Sequence, residues 1–447
     1  MRLCIPLGAS IALSLSMTGC SMTGSSAPST GNSAAAAKNA GNFSNTVFLG
    51  DSLTAGFQNG SLLDTTQVHG WAPLVATQAS FKIVQPLIAA PGAPAALKLI
   101  SLGPSPVVQQ ESGVTTGRDN PTDQPTDLAV PGAYLTDIQS TAPLPVPVSD
   151  QDIITSLVLG YPGLAAGNDL SQTGFAVKAQ PTTIFLWAGN NDALVADSSG
   201  QPSKMTSTAD FTTQYQSLVQ LLTAKTTAHL VIGNIPDVTA LPYLQAAATV
   251  LALTSTQTGI PAATLSTTLG IQAGDFVNSK GLSEIQDIIS GKQKGPIDDA
   301  GVLTAAEVVT TQTQIAAYNT VIAQQAKAAA ATLVDINALF KQIATNGVTI
   351  NGVHGTAAFL GGIFSLDGVH PTNTGYAVVA NAYIDTMNTA FNTKIPDADL
   401  SAISKADPLW PPNLAVGAAR PGTAMLMPAN AGKSIDDLLL RTPKPQQ

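Results

Sequence analysis

Four short apolar runs, Val47–Leu49, Thr183–Trp187, His229–Ile232 and Thr332–Ile336, are spread along the chain with helical patterns between them. Runs of this length, rich in β-branched and aromatic residues, read as buried strands rather than as pieces of helix. The intervening stretches repeat at helical spacing. In Thr304–Ala331, the residues Val308, Ile315, Tyr318, Val321 and Ile322 fall on one side of a run rich in Ala and Gln. Phe211–Thr223 is a second such stretch, and Thr374–Phe391 is a third, introduced by the start signals Pro371 and Asn373. Strands that alternate with helices connect in parallel and are covered on both faces. The expected fold is therefore α/β with a mostly parallel central sheet, and ligands belong beyond the carboxyl ends of its strands.

Chemistry gathers at those ends. The first run breaks at Gly50-Asp51 and delivers Ser52, where a strand gives way to a helix. A hydroxyl placed there stands at the sheet edge, with its backbone N–H unused at a helix N-terminus. Near the other end of the chain, Asp367-Gly368-Val369-His370-Pro371 sets a carboxylate three residues before an imidazole, so both face one way on a single turn. Serine needs a base to take its proton, and the base works best when a third group fixes its tautomer. Ser52, His370 and Asp367 suit those roles. Of the four histidines, His229 lies inside an apolar strand and reads as core, while His69 and His354 lie in glycine-flanked loops without a matching carboxylate.

The blocks carrying these residues resemble those of the GDSL esterases and lipases of the SGNH hydrolase superfamily. Gly50-Asp51-Ser52-Leu53 is similar to the first block, Val130-Pro131-Gly132-Ala133 to the second, Gly189-Asn190-Asn191-Asp192 to the third and Asp367–His370 to the fifth, in the family's order. The resemblance runs from about Asn45 to Phe391. It implies a three-layer α/β/α, flavodoxin-like fold and hydrolysis of a carboxylic ester through an acyl-serine intermediate. It also implies an oxyanion site made by the backbone N–H groups of Ser52 and Gly132 and the side-chain amide of Asn191, which the Gly-x-Asn-Asp register selects over Asn190. No cofactor or metal is implied, and the chain carries no His-Glu-x-x-His, cysteine-pair or phosphate-loop pattern. Two alternatives stand beside this reading. One is a polysaccharide O-deacetylase with the same three residues, and the other is a non-catalytic surface-anchored binding lipoprotein on a hydrolase scaffold.

The ends of the chain bear on location. Met1-Arg2 and a short apolar run from Ile5 to Met17 read as an export signal, too short for the roughly 20 apolar residues that span a bilayer. Met17-Thr18-Gly19-Cys20 resembles a bacterial lipobox, whose cysteine is lipidated and becomes the new N-terminus; an ordinary secretory signal with an incidental cysteine is the other reading. The expected organisation is a signal at 1–19, a flexible linker at 20–42, a hydrolase domain at 43–394 and a Pro-rich arm at 395–447. The expected location is the outer membrane or cell surface through a lipid on Cys20, or else the periplasm or the medium. Only Cys4 and Cys20 are cysteines, so the mature chain forms no internal disulfide. A net charge of −9 argues against a nucleic-acid partner, which requires a basic face, leaving a small-molecule or lipid ester as the expected partner.

Two regions exceed a minimal domain. The stretch from Ser52 to Gly132 is rich in Pro, Gly and Thr and reads as loop. The stretch Ala240–Pro296 contains helical pieces (Leu241–Leu253 and Ile285–Ile289) and reads as an insertion, either beside the site or on the far side of the sheet.

Overall fold

The computed structural model describes residues 39–103, 105–160, 170–414 and 425–440. The expected export signal, Cys20 and most of the expected linker lie outside the described residues. The four apolar runs form one four-stranded sheet: β1 (Thr46–Gly50), β2 (Thr183–Trp187), β3 (His229–Gly233) and β4 (Thr332–Val334), in that spatial order. All three pairings are parallel, and the register aligns Gly50, Trp187, Gly233 and Val334. The carboxyl ends therefore finish level, and whatever follows them shares one edge.

The outer side of β1 is closed by a segment with no sequence signature of a strand. Phe48 N–H donates to Thr126 O, Leu128 N–H to Phe48 O (both 2.9 Å) and Val130 N–H to Gly50 O (3.3 Å), with one parallel bridge between Phe48 and Asp127. Proline at 125 and 131 limits the ladder, because it supplies no N–H. The segment nonetheless covers a free edge and carries Gly132 to the carboxyl end of β1.

Both faces carry helices. Phe48 and Phe185 stack at 4.7 Å between ring centroids, Trp71 stands edge-on to both, and Tyr383 stacks on Trp71 at 4.0 Å. This cluster fastens helices Trp71–Gln78 and Asn373–Phe391 to one face. Helices Thr208–Lys225 and Ala305–Ala328 pack along each other on the opposite face, where Phe211 stacks on Tyr318 at 4.0 Å. The expected helices at 211–223, 304–331 and 374–391 lie on these three elements; Trp71–Gln78 lies in the stretch read as loop. No helix among the described residues is long and apolar enough to cross a membrane.

The stretch from 240 to 297 builds a small core of its own, with Val250, Leu251, Leu265, Leu269, Val277 and Ile285 buried in it. Tyr243 at its start donates its backbone N–H to Gly368 O (2.9 Å), so this insertion touches the Asp367–His370 turn.

Candidate active site

Ser52 opens a single helical turn, Ser52–Ala55, directly after β1. Asp51 caps that turn by accepting Leu53 N–H at 3.1 Å, the usual service of a short acceptor at this position. Gly50 is required because any side chain there would run into the Trp187 carbonyl of the neighbouring strand. The Gln172 amide brackets Gly50, donating to its carbonyl (2.9 Å) and accepting its N–H (3.0 Å), and so acts as an extra strand residue next to the turn. Sequence reasoning missed Gln172; a lone glutamine on a helix gives no signal.

Asp367 and His370 form a buried couple. Asp367 Oδ2 meets His370 Nδ1 at 3.1 Å and accepts Gly60 N–H at 2.7 Å, while Oδ1 accepts the N–H groups of Val369 and His370, both at 2.9 Å. Burial, the largest single influence, would raise this carboxyl, but the His370 charge and these hydrogen bonds outweigh it and hold Asp367 below the ordinary carboxylate range. An ionised carboxylate only accepts, so Nδ1 carries the ring proton and Nε2 keeps its lone pair. Nε2 is buried and has no hydrogen-bond partner. The ring packs against Phe57 at 4.7 Å between centroids, and Phe57 is itself tied by its carbonyl to the Tyr376 hydroxyl. His370 lies close enough to Asp51, the neighbour of Ser52, for its charge to lower that carboxyl.

The second and third blocks meet the first at the same edge. Gly132 has φ +74°, a left-handed conformation that suits glycine, and Gln151 Nε2 holds the preceding Pro131 carbonyl at 2.9 Å. Asn191 donates one amide hydrogen to Ala133 O at 2.8 Å, leaving its second directed elsewhere. Asn190 points to Asp51 instead, donating to its Oδ2 at 2.9 Å. The two neighbouring asparagines thus serve different segments, Asn191 the one carrying Gly132 and Asn190 the one carrying Ser52. The other histidines lie apart: His229 pairs with the Thr332 hydroxyl (2.9 Å) and packs edge-on against Phe391, and His354 meets the Thr349 hydroxyl on an exposed hairpin.

Several carboxylates around this edge are buried. Burial lifts Asp51 to about 6, Asp192 to about 7 and Asp127 to about 8. A raised carboxyl means the folded state holds a proton that the unfolded chain has released. Stability from these groups is full below about pH 4 and is lost as pH rises through 6 to 8. Asp127 has the least support, since its Oδ2 is buried without a partner. Asp127→Asn should therefore raise Tm, with no gain near pH 4 and a gain on the order of a few kcal/mol at pH 8. Thermal melts of both proteins across that range check it; a gain independent of pH would assign the effect to packing.

Residues 46–383 match the family described as GDSL-like Lipase/Acylhydrolase. The chain belongs to that family. No curated protein matches the sequence. Among solved structures, the GDSL-like chain is similar to an acetylxylan esterase variant from Geobacillus stearothermophilus (12% identity, 76% of this chain and 93% of that one, TM-score 0.34). It is also similar to a phospholipase A1 from Streptomyces albidoflavus (14%, 77% and 98%, 0.33) and an extracellular lipase from Streptomyces rimosus (12%, 78% and 99%, 0.32). Its place among the ester hydrolases of the GDSL type rests on the family match, not on these distant likenesses.

Proposed function

We propose that this chain is an exported serine ester hydrolase. His370 Nε2 takes the proton of Ser52 Oγ as Oγ bonds to the ester carbonyl carbon, and the carbonyl π pair moves onto oxygen. The N–H groups of Ser52 and Gly132 and the free amide hydrogen of Asn191 receive that negative charge. When the tetrahedral centre collapses, the alcohol leaves with the proton from Nε2. Water, deprotonated by the same nitrogen, then adds to the acyl carbon; the bond to Ser52 Oγ breaks, Oγ takes the proton back from Nε2, and the acid is released. Asp367 holds the tautomer and stabilises the imidazolium. The observation that carries the reading is the His370 imidazole, bonded through Nδ1 to a low-lying carboxylate and left unpartnered at Nε2, on the same edge as Ser52. A fluorophosphonate probe should phosphonylate the protein once, on the peptide containing Ser52; labelling mapped to another serine would overturn the assignment.

Export and anchoring belong to the same proposal, supported by the Met17-Thr18-Gly19-Cys20 pattern. Cys20→Ser should abolish incorporation of a fatty-acid analogue and leave the unprocessed precursor. Undiminished incorporation in that variant would point to a different attachment site.

A further inference from the structure

The C-terminal segment Met425–Leu440 packs against Gly132 and against Gly368 of the Asp367–His370 turn. Its short helix, Lys433–Leu439, turns Ile435, Leu438 and Leu439 into the core. Its contacts fall on the proposed catalytic backbone itself. A Cβ on Gly132 would lie 3.4 Å from both Leu438 Cδ2 and the Leu438 carbonyl oxygen. A Cβ on Gly60, whose N–H holds Asp367, would strike the Ser434 hydroxyl. One on Gly368, inside the Asp367–His370 turn, would lie 2.6 Å from Met427 Sδ. Ser52 is 5% exposed and His370 2% exposed in this structure.

We propose that residues 425–440 are a lid, docked in this structure over the catalytic centre, that an ester substrate must displace. The proposal rests on the reading of Ser52 as nucleophile. Polar ties hold the lid, among them Met427 N–H to Gln245 Oε1 of the insertion (3.4 Å). Asp436 accepts from the Tyr243 and Ser279 hydroxyls of the insertion, Tyr134 Oη donates to Leu439 O (2.7 Å), and Asn430 Nδ2 donates to Val108 O (2.8 Å). These ties reach the insertion, Tyr134 just after the second block, and the antiparallel pair Leu97–Ser101 and Val107–Gln110, so the long additions to the domain serve as its docking points. The inward side chains Met427, Ile435 and Leu438 are apolar. Lifting them exposes an apolar surface beside the oxyanion site, suited to an acyl chain longer than acetyl.

The experiment uses the full chain with Asp436→Ala and Tyr134→Phe, singly and together. Ser52 labelling by a fluorophosphonate should accelerate at least 10-fold in the double variant. Turnover of an octanoate ester should rise several-fold more than that of the acetate ester. Hydrogen exchange supplies the test that does not depend on catalysis. In the wild type, amides of 425–440 should exchange well before those of β1–β4, and in the double variant faster still. If the segment exchanges only with the sheet strands, it does not open and the lid is excluded, whatever the labelling shows. Faster exchange with unchanged labelling and selectivity also overturns it, because the segment then opens without controlling access. If Ser52 is never labelled while another serine is, the catalytic assignment fails instead.

Discussion

Ser52→Ala and His370→Ala should each lower kcat by about 10⁴- to 10⁶-fold, and the double variant should lose no more than the worse single one. The non-additivity follows from the geometry. The Ser52 hydroxyl is useful only if a base removes its proton, and the only unpartnered ring nitrogen of His370 faces no other acceptor or donor. Removing either group removes the same step. A loss of this size is roughly 5–8 kcal/mol of transition-state stabilisation, far beyond what a lost packing contact supplies to a reaction. Residual activity over water should persist, because the N–H groups at Ser52 and Gly132 do not depend on either side chain. Measuring kcat for the two single variants and the pair decides the point. If the losses multiply, the residues act in separate steps and a base other than His370 activates the serine. Melting temperatures should stay close to wild type for Ser52→Ala. His370→Ala should be less stable, since the Asp367 carboxylate would lose its Nδ1–H hydrogen-bond donor while remaining fully buried.

The sheet was legible because its strands are fully buried. All residues of β1, β2 and β3 are buried, which forces continuous apolar runs that stand out against an Ala-, Thr- and Gln-rich background. Ser52, Asn191 and the Ile235-Pro236-Asp237 turn each follow one of these runs directly, which puts them on one edge from the sequence alone. What stayed hidden was structure held by side chains instead of pattern. Residues 126–130 read as loop because prolines at 125 and 131 flank them, yet three backbone hydrogen bonds fix them to β1. Gln172 and Gln151 grip Gly50 and Pro131 through amides, which leave no periodic trace in a sequence. The seating of the C-terminal arm was hidden as well. The signal for its seating was present in Ile435, Leu438 and Leu439 at helical spacing, but seven residues are too few for periodicity to speak. Only a tertiary surface decides where so short a helix docks.

Asn191→Ala should lower kcat by about 10²- to 10³-fold with little change in KM, whereas Asn190→Ala should act mainly on stability. The difference is written in their partners. Asn191 bonds to Ala133 O within the segment that carries Gly132, and its second amide hydrogen is available to charge that appears only when the carbonyl is attacked. A donor that matters in the transition state and not in the ground state shows itself in kcat. Its loss is worth roughly 3–4 kcal/mol at such a site. Asn190 donates to Asp51 Oδ2, a fully buried carboxylate already raised to about 6 by burial. Replacing Asn190 by Ala strips a hydrogen bond from that oxygen, which costs about 1–3 kcal/mol of stability. It also pushes Asp51 further toward its protonated form, so the penalty should grow as pH rises above 6. Asn191→Asp should be at least as harmful to kcat as Asn191→Ala, because a carboxylate there would face both the Ala133 carbonyl oxygen and the developing oxyanion. Steady-state kinetics and melting curves for the three variants separate these roles. If Asn190→Ala abolished turnover while Asn191→Ala left it near wild type, the oxyanion would have to be held from the Asp51 side, and the donor set would need to be reassigned.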